Sequence, residues 1–283
     1  MSDSGRATER YLEALKTIIT ASAYDESAWR VIETAPLHSA QGFGGRLRLG
    51  LKNAVVRAFA RRGIVLCKAR RFSAEARELG RDWPMIGFTM TGKKRLDNTR
   101  LAVETVLREN VPGDLMETGV WRGGSVMFMK ALLDLHGDRT RTVWCADSFE
   151  GLPPPVDDAD GDDLSELGYV KVSLEAVKGN FARLGLLDER VKFLKGWFSD
   201  TLPTAPVERI ALLRLDGDLY SSTMDALTNL YHKVSPGGFV IVDDYQQWPA
   251  CKRAVDEFRA TQGITEPLHF VDQDAVYWRR ATI

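Results

Sequence analysis

Residues 210–223 read "IALLRLDGDLYSST" and residues 238–245 read "GFVIVDDY". In both, an apolar run stops abruptly at a pair of aspartates: Asp216 and Asp218 in the first, Asp243 and Asp244 in the second. Each run is too short for a helix and alternates too little for a strand with one wet face. Such runs fit strands buried on both faces, as in a parallel sheet. Three more of the same kind lie upstream: "DLMETGV" (114–120), "TVWCADSF" (142–149) and "VKFLKGWF" (191–198). Segments of helical period separate or follow them: Ser125–His136, Leu174–Leu184, Thr223–Val234 and Ala250–Thr261. This alternation predicts a doubly wound α/β fold with a Rossmann-like, mostly parallel sheet. The final run, "LHFVDQDAVYWRR" (268–280), breaks the pattern. Its two strand-like pieces flank "DQD" and predict a terminal antiparallel hairpin.

The first 85 residues lack the strand pattern. Arg6–Thr20 places Tyr11, Leu12, Leu15, Ile18 and Ile19 at helical spacing; Arg46–Arg62 does so with Leu47, Leu51, Ala54, Val55, Ala58 and Phe59. We expect residues 1–85 to form a helical N-terminal extension packed on the sheet domain, jointed at Gly42, Gly44 and Gly45. Residues 86–283 then form the sheet domain, with Pro84 near the boundary. The extension carries 15 Lys/Arg against 9 Asp/Glu, the remainder 23 against 30. Arg46 to Arg71 alone holds nine basic residues and no acid. That run reads either as a solvated helix face or as a surface attracting an anionic acceptor or a membrane.

The net charge of −1 gives no signature of a nucleic-acid partner. No apolar run reaches the ~18 residues of a membrane span, and "MSDSGRATER" lacks the apolar core of a secretory signal. Cys67, Cys145 and Cys251 are scattered and odd in number. A disulfide framework or thiolate zinc site is therefore not expected, and a cytoplasmic location is.

In open α/β sheets, ligands collect at the carboxyl ends of strands. The first strand ends in "METGVWRGGS" (116–125), where Gly119, Gly123 and Gly124 permit a tight turn. The spacing is not G-x-G-x-x-G, so the dinucleotide fingerprint fails. Glu117 is a poor neighbour for a pyrophosphate and a good one for a cation. Asp147 ends the second strand, 28 residues after Gly119, where an acid can hold ribose hydroxyls. Acids, a ribose anchor and no phosphate cradle suggest S-adenosylmethionine. Asp147 could alternatively cap the next helix. The two aspartate pairs end neighbouring strands, and carboxylates so crowded resist joint ionisation. A divalent cation removes that cost, and hard oxygen donors without His or Cys favour Mg²⁺ or a similar ion. The alternative is that one acid of each pair caps a helix while the other faces water.

These motifs carry a resemblance. The chain resembles the macrocin O-methyltransferase (TylF-type) family through "TMTGKKRLDN" (89–98), "VPGDLMETGVWRGGS" (111–125), "ADSFEGLPPP" (146–155), "GWFSDTLP" (196–203), "LRLDGDLYSST" (213–223) and "GGFVIVDDY" (237–245). The likeness covers about residues 85–280 and weakens before them. It implies a class I methyltransferase fold and a Mg²⁺-assisted, S-adenosylmethionine-dependent methyl transfer to a hydroxyl, typically on a sugar of a natural product. By that resemblance Asp216, Asp243 and Asp244 would hold the metal. Glu117, Gly119, Ser125, Asp147 and Ser148 would line the cofactor site, beside the Gly123 turn. Trp197 and Phe198 would lie near the adenine, and Thr89 and Met90 would close over the cofactor. A homo-oligomer is expected.

For such a transfer, Asp218 is the candidate base, two residues beyond a metal ligand, with a helix-capping or supporting role as its alternative. Two rivals share parts of this reading. A catechol-type O-methyltransferase would act on a planar diol, and a degenerate methyltransferase would bind without catalysis. The intact acids speak against the second.

Overall fold

The computed structural model describes residues 3–24, 29–32, 42–64, 66–69, 73–161, 163–165 and 167–281. In chain order these form α1 (Asp3–Ile19), β1 (Trp29–Val31), α2 (Gly42–Ala60), β2 (Cys67–Ala69), α3 (Ala74–Glu78) and α4 (Lys93–Arg108). Then come β3 (Asp114–Thr118), α5 (Gly124–Leu135), β4 (Val143–Asp147), α6 (Leu174–Arg183), β5 (Val191–Lys195) and α7 (Phe198–Thr201). The chain ends with β6 (Ile210–Leu215), α8 (Tyr220–Leu230), β7 (Val234–Val242), α9 (Pro249–Thr261), β8 (His269–Phe270) and β9 (Val276–Arg279).

Seven strands make one sheet in the order β5-β4-β3-β6-β7-β9-β8. β3 through β7 pair in parallel, while β9 runs antiparallel to β7 and β8. All five expected parallel strands and the terminal hairpin are present. The fold is that of class I methyltransferases. The strand order reverses between β3 and β6, and that switch point opens a crevice at their carboxyl ends.

The apolar runs are continuous because both faces of the sheet are covered. On one face β3 and β6 send Leu115, Ala211 and Leu212 into a core with α4, α5 and α6, joined by Leu12, Leu15 and Ile19 of α1. On the other, Met116, Leu213, Leu215, Val240 and Val242 pack against Leu227 and Leu230 of α8 and Val255 and Phe258 of α9. α1 is thus part of the main core.

The N-terminal region departs from expectation in three ways. Gly42 is the first residue of α2 (φ 72°) and Gly44 and Gly45 lie in its first turn, so they begin a helix where a flexible joint was expected. A short antiparallel ribbon, β1 with β2, stands where no strand was expected. The apolar stripe of α2 is outward: Leu47, Leu51, Val55 and Phe59 are all exposed. The basic run from Arg46 to Arg71 falls partly outside the described residues. Among those described, no helix is long and apolar enough to cross a membrane.

Candidate active site

The two aspartate pairs converge. Leu215 of β6 registers with Val242 of β7, so the residues just beyond them, Asp216 and Asp243, emerge side by side. The backbone continues the ladder past the strands: Asp243 N–H donates to Leu215 O at 2.9 Å, and Asp216 N–H to Thr118 O at 2.9 Å. One carboxylate oxygen from each of Asp216, Asp243 and Asp244 lies within 4.8 Å of the others. Asp218 follows in a left-handed backbone conformation (φ 57°) and lines the same cavity. Trp121 (φ 46°) and Phe149 (φ 57°) adopt that conformation just beyond β3 and β4. Strained non-glycine residues therefore gather at this rim of the sheet.

Two arginines sit among the acids, and neither was singled out from sequence. Arg214, near the end of β6, is fully buried. Its guanidinium donates to Asp216 at 2.7 Å and to Thr91 Oγ1 at 2.8 Å, and also pairs with Glu117 and Asp243. Arg95, on α4, donates to Asp243 at 2.6 Å, to Asp272 at 2.7 Å and to Asp274 at 3.2 Å. Burial raises the Asp243 pKa, but these two cations outweigh it and hold the carboxyl below its ordinary range. Its neighbours behave oppositely. Burial, then the charges of Asp218, Asp216 and Asp243, push Asp244 well up. Burial, then Asp216 and Asp243, raise Asp218 to about 7. One oxygen of Asp244, Oδ2, is buried with no hydrogen-bond partner. A buried carboxylate oxygen left unpaired among like charges is costly, and a cation would satisfy it. This donor set suits a hard divalent ion.

Across the switch point, β3 and β4 present a different surface. A Cβ on Gly119 would fall 1.7 Å from the Asp216 carbonyl oxygen, so only glycine lets the β3 turn pass the β6 tip. Glu117 Oε2 is buried and unpartnered beside the cavity, while Oε1 pairs with Arg214. Burial lifts this carboxyl to about 8. Asp147 accepts from the backbone N–H groups of Val120 (2.8 Å), Trp121 (3.3 Å) and Phe149 (2.7 Å). Thr89, Ser125 and Thr91 form a buried hydroxyl chain, with Thr89–Ser125 at 3.2 Å and Ser125–Thr91 at 3.3 Å, which ends on Arg214.

Two adjoining cavities share this rim. The first is lined by Thr89, Met90, Glu117, Ser125 and all four of the paired aspartates, together with Trp83, Trp121, Leu164, Leu167 and Val170. The second holds Ser148, Trp197, Phe198, Ser221 and Ser222 beneath the loop of Leu152 to Val156. Gly119, Asp147 and Asp216 line both. Together these linings fit S-adenosylmethionine: an unpaired Glu117 oxygen for an ammonium, Asp147 for hydroxyls, and the Trp197 and Phe198 rings of the second cavity for a base. Gly123 is the exception among the expected cofactor residues. It lines neither cavity; a Cβ there would meet the Phe181 ring at 2.8 Å, so it serves the turn (φ 89°) into α5.

Comparison with known proteins gives a consistent result. Residues 8–280 match the family described as macrocin O-methyltransferase (TylF). The match starts at residue 8, so the likeness runs through the N-terminal region and is not confined to residues 85–280. One curated relative is the 8-demethyl-8-(2,3-dimethoxy-alpha-L-rhamnosyl)-tetracenomycin-C 4'-O-methyltransferase of Streptomyces olivaceus. It is 55% identical over 211 residues, covering 73% of this chain and 80% of the relative. Another is the demethyldecarbamoylnovobiocin O-methyltransferase of Streptomyces niveus, 55% identical over 214 residues, covering 74% and 82%. Among solved structures, the O-methyltransferase NovP superposes with a TM-score of 0.81 at 43% identity, covering 97% of this chain and 99% of that one.

Proposed function

Because the chain belongs to the macrocin O-methyltransferase (TylF) family and is thereby an O-methyltransferase, we propose that it moves the methyl group of S-adenosylmethionine to a sugar hydroxyl of a glycosylated natural product, assisted by a divalent cation such as Mg²⁺. The observation that carries this reading is the convergence of Asp216, Asp243 and Asp244, with an orphaned Asp244 oxygen, beside a cavity shared with Glu117 and Asp147. The acceptor class follows the activities of the two curated relatives, one named for a rhamnosyl-bearing tetracenomycin and the other for a novobiocin.

In this reading Asp147 accepts the ribose hydroxyls and Glu117 the ammonium, while Trp197 and Phe198 flank the adenine. Thr89, Met90, Ser125 and Ser148 complete the walls. Asp216, Asp243 and Asp244 would hold the ion, which supplies Lewis acidity that makes an alcohol a better nucleophile. Asp218, which lines the same cavity two residues beyond Asp216, is the group placed to take the hydroxyl proton. S-adenosylmethionine held by these residues would supply the methyl group to the acceptor oxygen, its S–C bonding pair leaving with the sulfur. Trp83, Trp121 and the other apolar residues lining the cavity exclude water. Residues 86–283 carry most of this chemistry; the N-terminal extension adds Trp83 to the cavity wall and buttresses the sheet domain through α1.

The test is transfer of labelled methyl from S-adenosylmethionine to a panel of single-hydroxyl glycosides and catechols, with and without a chelator. Labelled glycoside that disappears on chelation and returns with Mg²⁺ is the expected result. Labelling of catechols alone would replace the sugar reading, and cofactor binding without any transfer would make the chain a non-catalytic binder.

A further inference from the structure

The loop after β4, "GLPPPVDDAD" (151–160), forms a wall of the second cavity through Gly151, Leu152, Pro153, Pro154 and Val156. Ser221 and Ser222, in the first turn of α8, line the same cavity. These two parts are remote in sequence, yet one buried side chain joins them. Asp160 is 3% exposed. Its Oδ1 accepts from Ser221 N–H at 2.7 Å, while its Oδ2 accepts from Ser221 Oγ at 3.0 Å and from Val156 N–H at 2.8 Å.

The helix needs this help. Its N-cap residue is Leu219, which offers no side-chain cap, so the first-turn N–H groups lack a local acceptor. A carboxylate there satisfies an orphan donor and meets the positive end of the helix dipole. Asp160 does both from 61 residues away. By also bonding Val156 N–H it turns a helix cap into a clasp over the cavity. α8 begins two residues after Asp218, so the same clasp braces the turn that carries Asp216 and Asp218.

We propose that Asp160 is a positioning residue that closes the cofactor cavity by tying the 151–160 loop to the first turn of α8. It does not touch the reacting atoms; it acts through the two walls it holds together. This inference rests on the reading of that cavity as the S-adenosylmethionine site. With the clasp intact, the loop is fixed over the ligand. Without it, the loop and the α8 terminus separate independently, and bound ligand escapes faster.

The experiment is calorimetric and stopped-flow titration of the full-length protein with S-adenosylmethionine, followed by kcat and KM with a competent acceptor. Asp160→Ala is expected to weaken cofactor affinity at least tenfold, mainly through faster dissociation, while kcat at saturating cofactor stays within about threefold. Asp160→Asn keeps an acceptor for Ser221 N–H and should recover part of the affinity. Ser221→Ala, which removes one of three bonds, should lose about two- to threefold. If Asp160→Ala does not fold, Asp160→Asn and Ser221→Ala must still fall in that order. Wild-type affinity in a folded Asp160→Ala protein overturns the proposal. So does a lower melting temperature and kcat with no change in dissociation, which would leave Asp160 a helix cap only. Failure of the wild-type protein to bind S-adenosylmethionine overturns the cofactor reading instead.

Discussion

Asp147 and Asp244 are the same chemical group at the same kind of place, the carboxyl end of a parallel strand, yet their surroundings differ. Asp147 ends β4 facing backbone dipoles: three N–H groups converge on its two oxygens. Asp244 follows β7 facing Asp216, Asp218 and Asp243, with one buried oxygen unpartnered. Neutral donors organise a carboxylate without neutralising it, and its remaining acceptor capacity suits a neutral hydroxyl. Arg214 and Arg95 are taken up by Asp216 and Asp243, so Asp244 is left short of counter-charge and the cluster selects a further cation. Position in the fold makes both acids candidates for a ligand, but only their neighbours say which ligand.

The largest effect expected from this contrast is on catalysis. Chelation, or Asp243→Asn, should reduce methyl transfer by about 10³-fold or more by removing the ion's Lewis acidity, while cofactor affinity measured by calorimetry stays near wild type. Asp218→Asn should lower the rate by about 10²–10⁴-fold, the usual worth of a positioned base, with metal affinity kept. A near-normal rate in that variant would make Asp218 a supporting neighbour only. Asp147→Ala should weaken S-adenosylmethionine binding about tenfold or more, since unpaired buried donors cost about 1–3 kcal/mol. Its metal affinity should not change.

The smaller effects are on stability, and they have opposite signs. Asp147→Ala leaves backbone N–H groups unsatisfied, so its melting temperature should fall. Asp244→Asn removes a buried acid from a like-charged cluster, so the metal-free protein should melt higher at pH 8. The wild-type pH profile follows the same logic. Glu117, raised to about 8, and Asp218, raised to about 7, hold protons in the folded state that the unfolded chain releases near pH 4. Their contribution is complete below about pH 4 and is lost as the pH rises to about 8. The lowered pKa of Asp243 works the other way, its contribution fading as the medium becomes acidic. Metal-free protein should therefore lose stability between about pH 5 and 8, and Mg²⁺ should flatten the fall. A chelated protein with a flat melting profile over that range would contradict the crowding argument.

The parallel sheet was legible because burial on both faces forces unbroken apolar runs. The two aspartate pairs were legible because acids at the end of such runs need an explanation. Arg214 carried a readable signal that was not used: a charge inside "IALLRL" must bury beside carboxylates, and it pairs with three. Arg95 carried none, because its partners Asp243, Asp272 and Asp274 are distant in sequence and meet it only in the fold. Periodicity likewise could not separate α1 from α2. Both have helical apolar spacing, but Leu12 is fully buried while Leu51 is 69% exposed. Spacing specifies which residues share a face, and tertiary contacts decide whether anything covers it. Gly123 shows the same limit, since its place in a glycine-rich turn suited a cofactor and its actual neighbours are Phe181 and Val177.

The most direct test of the carboxylate account is a titration of chelator-treated protein with Mn²⁺, followed by electron paramagnetic resonance and competed with Mg²⁺. The account predicts one ion per chain in the wild-type protein and in Asp147→Ala. Asp216→Asn, Asp243→Asn and Asp244→Asn should each lose that binding. Binding retained in all three substitutions, or no saturable ion in the wild type, would contradict it.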